Sequence, residues 1–278
     1  MIIDTHLHII DRSALRYSWL SGAPALNRDF LYEDYAREAR RCGITDAIFM
    51  EVDVDGADID AEIAYVKGKA EQEGSLLRGM IAACRPEEDG FAAHLERWRD
   101  DGFVKGFRRI LHTLPDDLSE SATFRQNVRR LSGTGLTFDL CVFPHQHQRA
   151  MELIDLAPDV QFILDHCGVP DIKGGGLHGW RETVAEIARR PNVVGKVSGV
   201  VAYADPDAFT VATLRPYVEH TIAIFGWDRV VWGSDWPVCT QGCSLSTWVA
   251  ANHALIAGAS EGEKAKLLSG NAKRIWSL

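Results

Sequence analysis

Short apolar runs alternate with stretches of helical period along the whole chain, and this alternation constrains the fold more than any other feature. Strand-like runs fall around 4–8 and at 46–53, 77–84, 103–110, 136–143, 160–166, 193–198 and 229–235. Helical patterns fall at about 32–42, 58–73, 90–101, 121–131, 148–156, 180–190 and 206–225, with two more at 245–257 and 261–276. Apolar strands joined by helices of this length imply parallel strand–helix–strand units. Eight such units in 278 residues fit a closed (β/α)8 barrel better than an open sheet. No shift in composition marks a boundary, so 1–278 reads as a single domain. No Gly-x-Gly-x-x-Gly follows the first strand, which removes the main support for a dinucleotide fold.

The first strand carries Asp4-Thr5-His6-Leu7-His8 between isoleucines. Residues two apart in a strand point the same way. Asp4, His6 and His8 are therefore expected on one face, with Ile3, Leu7 and Ile9 on the other. Two parallel imidazoles a few Å apart can chelate a metal or clamp a carbonyl group; the plainer reading is two satisfied strand-end histidines.

In a parallel barrel, chemistry collects at the C-terminal ends of the strands. Polar residues gather there: His6 and His8, Glu51 and Asp53, Arg108 and Arg109, Asp139 with His145 and His147 beyond it, Asp165 and His166, Lys196 and Ser198, and Ser234 and Asp235. The loop from 11 to 29, with Trp19, is long enough to be functional. The net charge of −9 argues against nucleic acid or an acidic membrane as partner. No stretch approaches a membrane span, and the N-terminus is no signal peptide. The six irregularly spaced cysteines read as reduced thiols of a cytoplasmic protein; Cys239 and Cys243 lack a second pair to complete a zinc site.

Three motifs, Asp4-Thr-His6-Leu-His8, Leu164-Asp-His166-Cys-Gly168 and Gly233-Ser-Asp235-Trp-Pro237, backed by Val104-Lys-Gly-Phe-Arg108 and Gly270-Asn-Ala-Lys-Arg-Ile-Trp276, resemble the amidohydrolase superfamily over nearly the whole chain. The chain resembles the family 2 branch and, within it, is similar to the sugar-acid lactonases. The resemblance implies a metal-binding or carbonyl-polarising role for His6, His8 and His166, and a general acid/base role for Asp235. The sequence departs at strand five, whose interior offers Asp139 and Cys141 where many members carry a metal-ligating histidine. The expectation is therefore one divalent ion, zinc for preference, weakly held or dispensable, on His6, His8, His166 and Asp235.

The implied reaction is hydrolysis of a sugar-acid lactone. It needs a water nucleophile, a base for its proton and a donor for the leaving alkoxide. Asp235 and His166 are the expected catalytic residues. Glu51, Arg108, Asp139 and Lys196 are candidate substrate contacts, with Arg108 and Lys196 able to hold a carboxylate; strand-end ion pairing is the alternative reading for the two cations. Trp236 and Tyr203 read as packing, and the segments around Trp19, Tyr203 and 171–180 are expected to shape the substrate site. The rival enzymatic readings are a metal-dependent decarboxylase and a lactone isomerase. A small-molecule partner is expected, with no nucleic acid or membrane, and a homo-oligomer is compatible with this reading.

Overall fold

The computed structural model describes residues 1–278. Strands β1 (Ile2–Leu7), β2 (Ile44–Met50), β3 (Leu77–Ala83), β4 (Val104–Ile110), β5 (Thr137–Cys141), β6 (Gln161–Leu164), β7 (Val193–Val197) and β8 (Val230–Trp232) form one sheet in sequence order. All seven neighbouring pairs are parallel. The ring closes just past the end of β8, where Asp235 N donates to the His6 carbonyl at 2.7 Å and His8 N to the Trp236 carbonyl at 2.6 Å. This is the expected (β/α)8 barrel.

The connecting helices are α1 (Tyr32–Arg41), α2 (Ile59–Ala70), α3 (Phe91–Trp98), α4 (Ala122–Arg129), α5 (His147–Leu156), α6 (Trp180–Ala188), α7 (Val211–Phe225) and α8 (Leu245–Leu255). Ser121 and Ser244 open α4 and α8 by accepting the backbone N–H three residues on. The final helical stretch is broken: α9 (Glu261–Ala265) and α10 (Asn271–Trp276) flank a π-helical turn at Lys266–Gly270.

Two apolar groups divide the core. The larger lies between strands and helices and includes Ala47, Phe49, Phe107, Phe138 and Phe162. The smaller fills the lower barrel with Ile3, Ile48, Ile81, Ile163, Val194 and Val231, and α10 plugs it with Trp276. Trp276 Nε1 donates to Thr137 Oγ1 at 3.2 Å, so the plug also has its one polar atom satisfied. The bottom is sealed, and only the opposite end is open to ligand.

Strict alternation fails in β1. Asp4 pairs with Ala47 and Leu7 with Phe49, so three steps on β1 oppose two on β2. The bulge reverses the facing of the strand. Asp4 consequently leaves the face of His6 and His8 and reaches the helix layer, where it accepts from Tyr35 OH at 2.8 Å and Ser234 N at 2.8 Å. The expectation that Asp4 shares a face with both histidines is corrected: it ties β1 to α1 and to the β8 end.

No helix is long and apolar enough to cross a membrane. All six cysteines are unpaired.

Candidate active site

The upper barrel opens into a cavity of about 400 Å³ lined by His8, Arg108, His112, Cys141, His166, Tyr203 and Asp235, with Ile10, Trp19, Leu26, Val52 and Ile110 among its apolar walls. The 11–29 loop closes one side. It is held by a bridge between Ile10 and Phe30, and Trp19 Nε1 donates to the Val52 carbonyl at 2.9 Å. No residue of 171–180 lines the cavity; the segment meets its wall through Lys173 N, which donates to the Tyr203 carbonyl at 3.0 Å.

Asp235 stands at the floor. Its Oδ1 lies 3.3 Å from His8 Nε2 and 3.6 Å from His6 Nε2, and its Oδ2 lies 4.0 Å from His166 Nδ1. His166 and Asp235 both have left-handed backbones, at φ 54° and 58°, which turn their side chains inward from the strand ends. The backbones behind them come close. A Cβ on Gly199 would stand 2.4 Å from His166 Nδ1, and one on Gly233 would stand 2.6 Å from the Cβ of His6. Any side chain at these two glycines would displace the histidines.

Each imidazole is oriented from behind. His8 Nδ1 donates to the Met50 carbonyl at 2.9 Å, which directs Nε2 toward Asp235. His166 Nδ1 is 2.9 Å from Ser198 Oγ. His6 Nδ1 lies 3.5 Å from Asp165 Oδ1 and 3.4 Å from Lys196 Nζ, and its Nε2 lies 3.4 Å from Arg108 Nη1. Burial holds His6 well below the ordinary histidine range and also lowers His166.

Beneath the cavity floor lies a closed ionic layer. Arg108 Nε donates to Glu51 Oε1 at 2.6 Å, Nη2 to the Glu51 carbonyl at 2.7 Å, and Nη1 to Asp165 Oδ2 at 3.3 Å. Lys196 Nζ lies 2.6 Å from Asp139 and 2.7 Å from Asp165, with no solvent exposure on any of the three. Burial alone would raise Asp165, but Lys196, His6 and Arg108 hold it well below the usual carboxylate range. Burial pushes Asp139 up to about 7 against the pull of Lys196.

The residues predicted from sequence therefore fall into two levels. His8, His166 and Asp235 line the cavity, and His6 sits directly behind Asp235. Of the four candidate substrate contacts only Arg108 reaches the cavity; Glu51, Asp139 and Lys196 are buried in the ionic layer and do not line it. His145 is exposed and meets Asp116, while His147 bonds the Gly168 carbonyl, so neither supplies a strand-five ligand. Tyr203, read as packing, is a cavity wall. His112 was not singled out. It continues the inward alternation of Arg108 and Ile110, which is the signal that marks it, and its Nδ1 meets Cys141 Sγ at 3.1 Å. Burial lowers it to about 4.

One ligand atom each from His6, His8 and Asp235 lies within 4.8 Å of the other two, as do those of His6, Asp165 and His166. The first set suits a cation: His8 Nε2 and Asp235 Oδ1 converge at 3.3 Å, and neither has another hydrogen-bond partner in the protein. Asp165 is already engaged by Lys196 and Arg108, which leaves the second set poorly suited.

Paired strand-one histidines and a strand-eight aspartate meet at the open end of this barrel. The sequence matches the amidohydrolase family over residues 3–278, and the chain belongs to that family. It is similar to an uncharacterized protein, y4mH, of Sinorhizobium fredii, with 28% identity over 100% of this chain and 98% of the relative. It is also similar to an L-fucono-1,5-lactonase of Burkholderia multivorans, with 26% identity over 99% of this chain and 96% of the relative. Among solved structures, an amidohydrolase from Burkholderia multivorans with bound zinc superposes with a TM-score of 0.90 at 24% identity, covering 100% of this chain and 99% of the other. The relatives named as lactonases also include an L-rhamnono-gamma-lactonase of Scheffersomyces stipitis, 23% identical over 63% of this chain and 59% of the relative.

Proposed function

We propose that the protein opens the lactone of a sugar acid to its hydroxy acid, with Asp235 as general acid and base. The observation that carries this reading is the Asp235 carboxylate at the floor of the cavity with three imidazoles around it, in a chain similar to an L-fucono-1,5-lactonase. Water adds to the ring carbonyl and gives its proton to Asp235. The ring C–O bond then breaks, and Asp235 returns the proton to the departing alkoxide. With Ser198 donating to Nδ1, His166 has an Nε2–H for the oxygen that gathers charge. Tyr203 and Trp19 bound the substrate and limit water around it.

His6, His8 and Asp235 would hold a divalent ion, zinc by preference, with His166 beside them. Bound there, it would polarise the carbonyl and acidify a water. We place the enzyme in carbohydrate metabolism in the cytoplasm, where six free thiols stay reduced.

The test is a panel of five- and six-membered aldonolactones in weak buffer with a pH indicator. Hydrolysis releases a proton, whereas decarboxylation or isomerisation does not. Turnover well above the spontaneous rate is expected for at least one lactone, and silence across the panel together with turnover of an aromatic carboxylic acid would overturn the reading.

A further inference from the structure

We infer that this site selects uncharged lactones, and that Asp53 is the residue that sets the selectivity by accepting substrate hydroxyls and repelling carboxylates and sulfonates. The inference rests on the lactonase reading and narrows its substrate class.

The first observation is what the cavity lacks. Arg108 is the only arginine or lysine on its wall. All three of its guanidinium nitrogens are already directed at Glu51 and Asp165, within 2.6 to 3.3 Å. A guanidinium that clamps two buried carboxylates has no fork left for a substrate anion. Lys196, the other candidate cation, lies below the floor between Asp139 and Asp165. The remaining wall offers an anion no second fixed cation: its donors, such as Thr113 and Tyr203, are hydroxyls, Ile10, Leu26 and Val52 are apolar, and the Trp19 N–H is spent on the Val52 carbonyl.

The second observation is what the cavity presents instead. Asp53 lines it from the end of β2, with a left-handed backbone at φ 50°. Its carboxylate accepts no hydrogen bond from the protein. The nearest cations are Arg85 Nη2 at 3.5 Å and Arg109 Nη1 at 3.8 Å, neither of them on the cavity wall. The Arg109 fork is committed to Glu87 at 2.7 Å. Asp53 is thus an acceptor waiting for a donor. A ring hydroxyl satisfies it, whereas a carboxylate at the same place meets a like charge. Asp53 is half-buried, and a site that presents such an acceptor favours a ligand that donates to it over one that brings a like charge.

The experiment compares an aldono-1,4-lactone with the matching aldaro-1,4-lactone, whose terminal carbon is a carboxylate. The wild-type enzyme is expected to prefer the neutral lactone by at least about 10²-fold in kcat/KM. Asp53→Asn keeps the shape, tolerates the left-handed backbone and removes the charge. It is expected to lower kcat/KM for the neutral lactone and to shrink the preference by about tenfold or more. Equal turnover of the two lactones by the wild type overturns the inference while leaving the lactonase reading intact. An unchanged preference in Asp53→Asn overturns the assignment to Asp53. A protein that opens neither lactone, nor any other, fails at the lactonase reading itself.

Discussion

Arg108 and Glu51 meet across the barrel interior with Nε 2.6 Å from Oε1, and the same guanidinium also holds the Glu51 carbonyl. The side chain that looked from sequence like a substrate clamp is the keystone of a buried ionic layer. Arg108→Ala would leave Glu51 without its cation and Asp165 with Lys196 alone. Breaking a buried pair by removing one partner costs about 3–5 kcal/mol. The variant should therefore unfold at markedly lower urea, and any surviving activity should be reduced in kcat. A loss confined to KM at wild-type stability would return Arg108 to the role of substrate clamp.

Lys196 poses the same question in a drier place, since it, Asp139 and Asp165 are all fully buried. Lys196→Met preserves volume but strands Asp139 and leaves Asp165 with Arg108 alone, so a loss of about 3–5 kcal/mol is again expected. Adding Asp139→Asn should recover part of that loss, because it removes the stranded charge. Urea titration of the single and double variants measures the coupling; strict additivity would mean that the pair does not interact.

The architecture was legible because its signals are local. Each strand is a short apolar run, and His6, His8, His166 and Asp235 each lie in a motif a few residues long at a strand end. What was not legible depends on distance along the chain. Arg108 and Glu51 are 57 residues apart, as are Lys196 and Asp139, so nothing local distinguishes an internal ion pair from a free cation. The facing of Asp4 was misjudged because a bulge is set by pairing with β2 and leaves no mark in the alternation itself. Tyr203 and Trp19 became cavity walls through loop paths, which hydrophobic periodicity does not encode.

Asp235→Asn tests the proton relay. It retains shape and removes the acceptor, so kcat should fall by roughly 10²–10⁴ if Asp235 is the general base. The melting temperature should stay near the wild-type value, because Asp235 lies on the cavity wall and is not part of the ionic layer. Full activity in this variant would refute the mechanism.

Glu62 offers a test by pH away from the cavity. It is fully buried; one carboxyl oxygen accepts Val52 N at 3.2 Å and the other has no partner. Burial, with Glu51 nearby, holds its pKa well above the ordinary 4.5. Between the unfolded and folded values the native state binds the extra proton. The stability it contributes is therefore complete below about 4.5 and declines as pH rises through the folded value, by at most about 1.4 kcal/mol per pH unit. Glu62→Gln keeps the acceptor for Val52 and cannot ionise. The stability of the variant relative to wild type should increase as pH rises from about 4.5 toward the folded value. A difference that does not change with pH would show that Glu62 does not titrate between the two states.

Metal dependence follows from the surroundings of His6. His6, His8 and Asp235 offer three ligand atoms, enough for a catalytic ion with an open position. Arg108 Nη1, however, lies 3.4 Å from the His6 nitrogen that faces Asp235, and Lys196 Nζ lies 3.4 Å from the other ring nitrogen. Two fixed cations against one ligand ring oppose a third. Strand five adds nothing: Asp139 is bound to Lys196, and the Cys141 thiol is raised by burial and so resists the ionisation that ligation needs. Elemental analysis should accordingly find no more than one ion per chain, and chelation should strip it while leaving partial lactonase activity, since an ester is far easier to open than an amide. Arg108→Lys moves the charge and loses the fork, so it should change ion affinity measured by calorimetry as well as stability. Two tightly held ions per chain, with activity abolished on their removal, would overturn this account of the site.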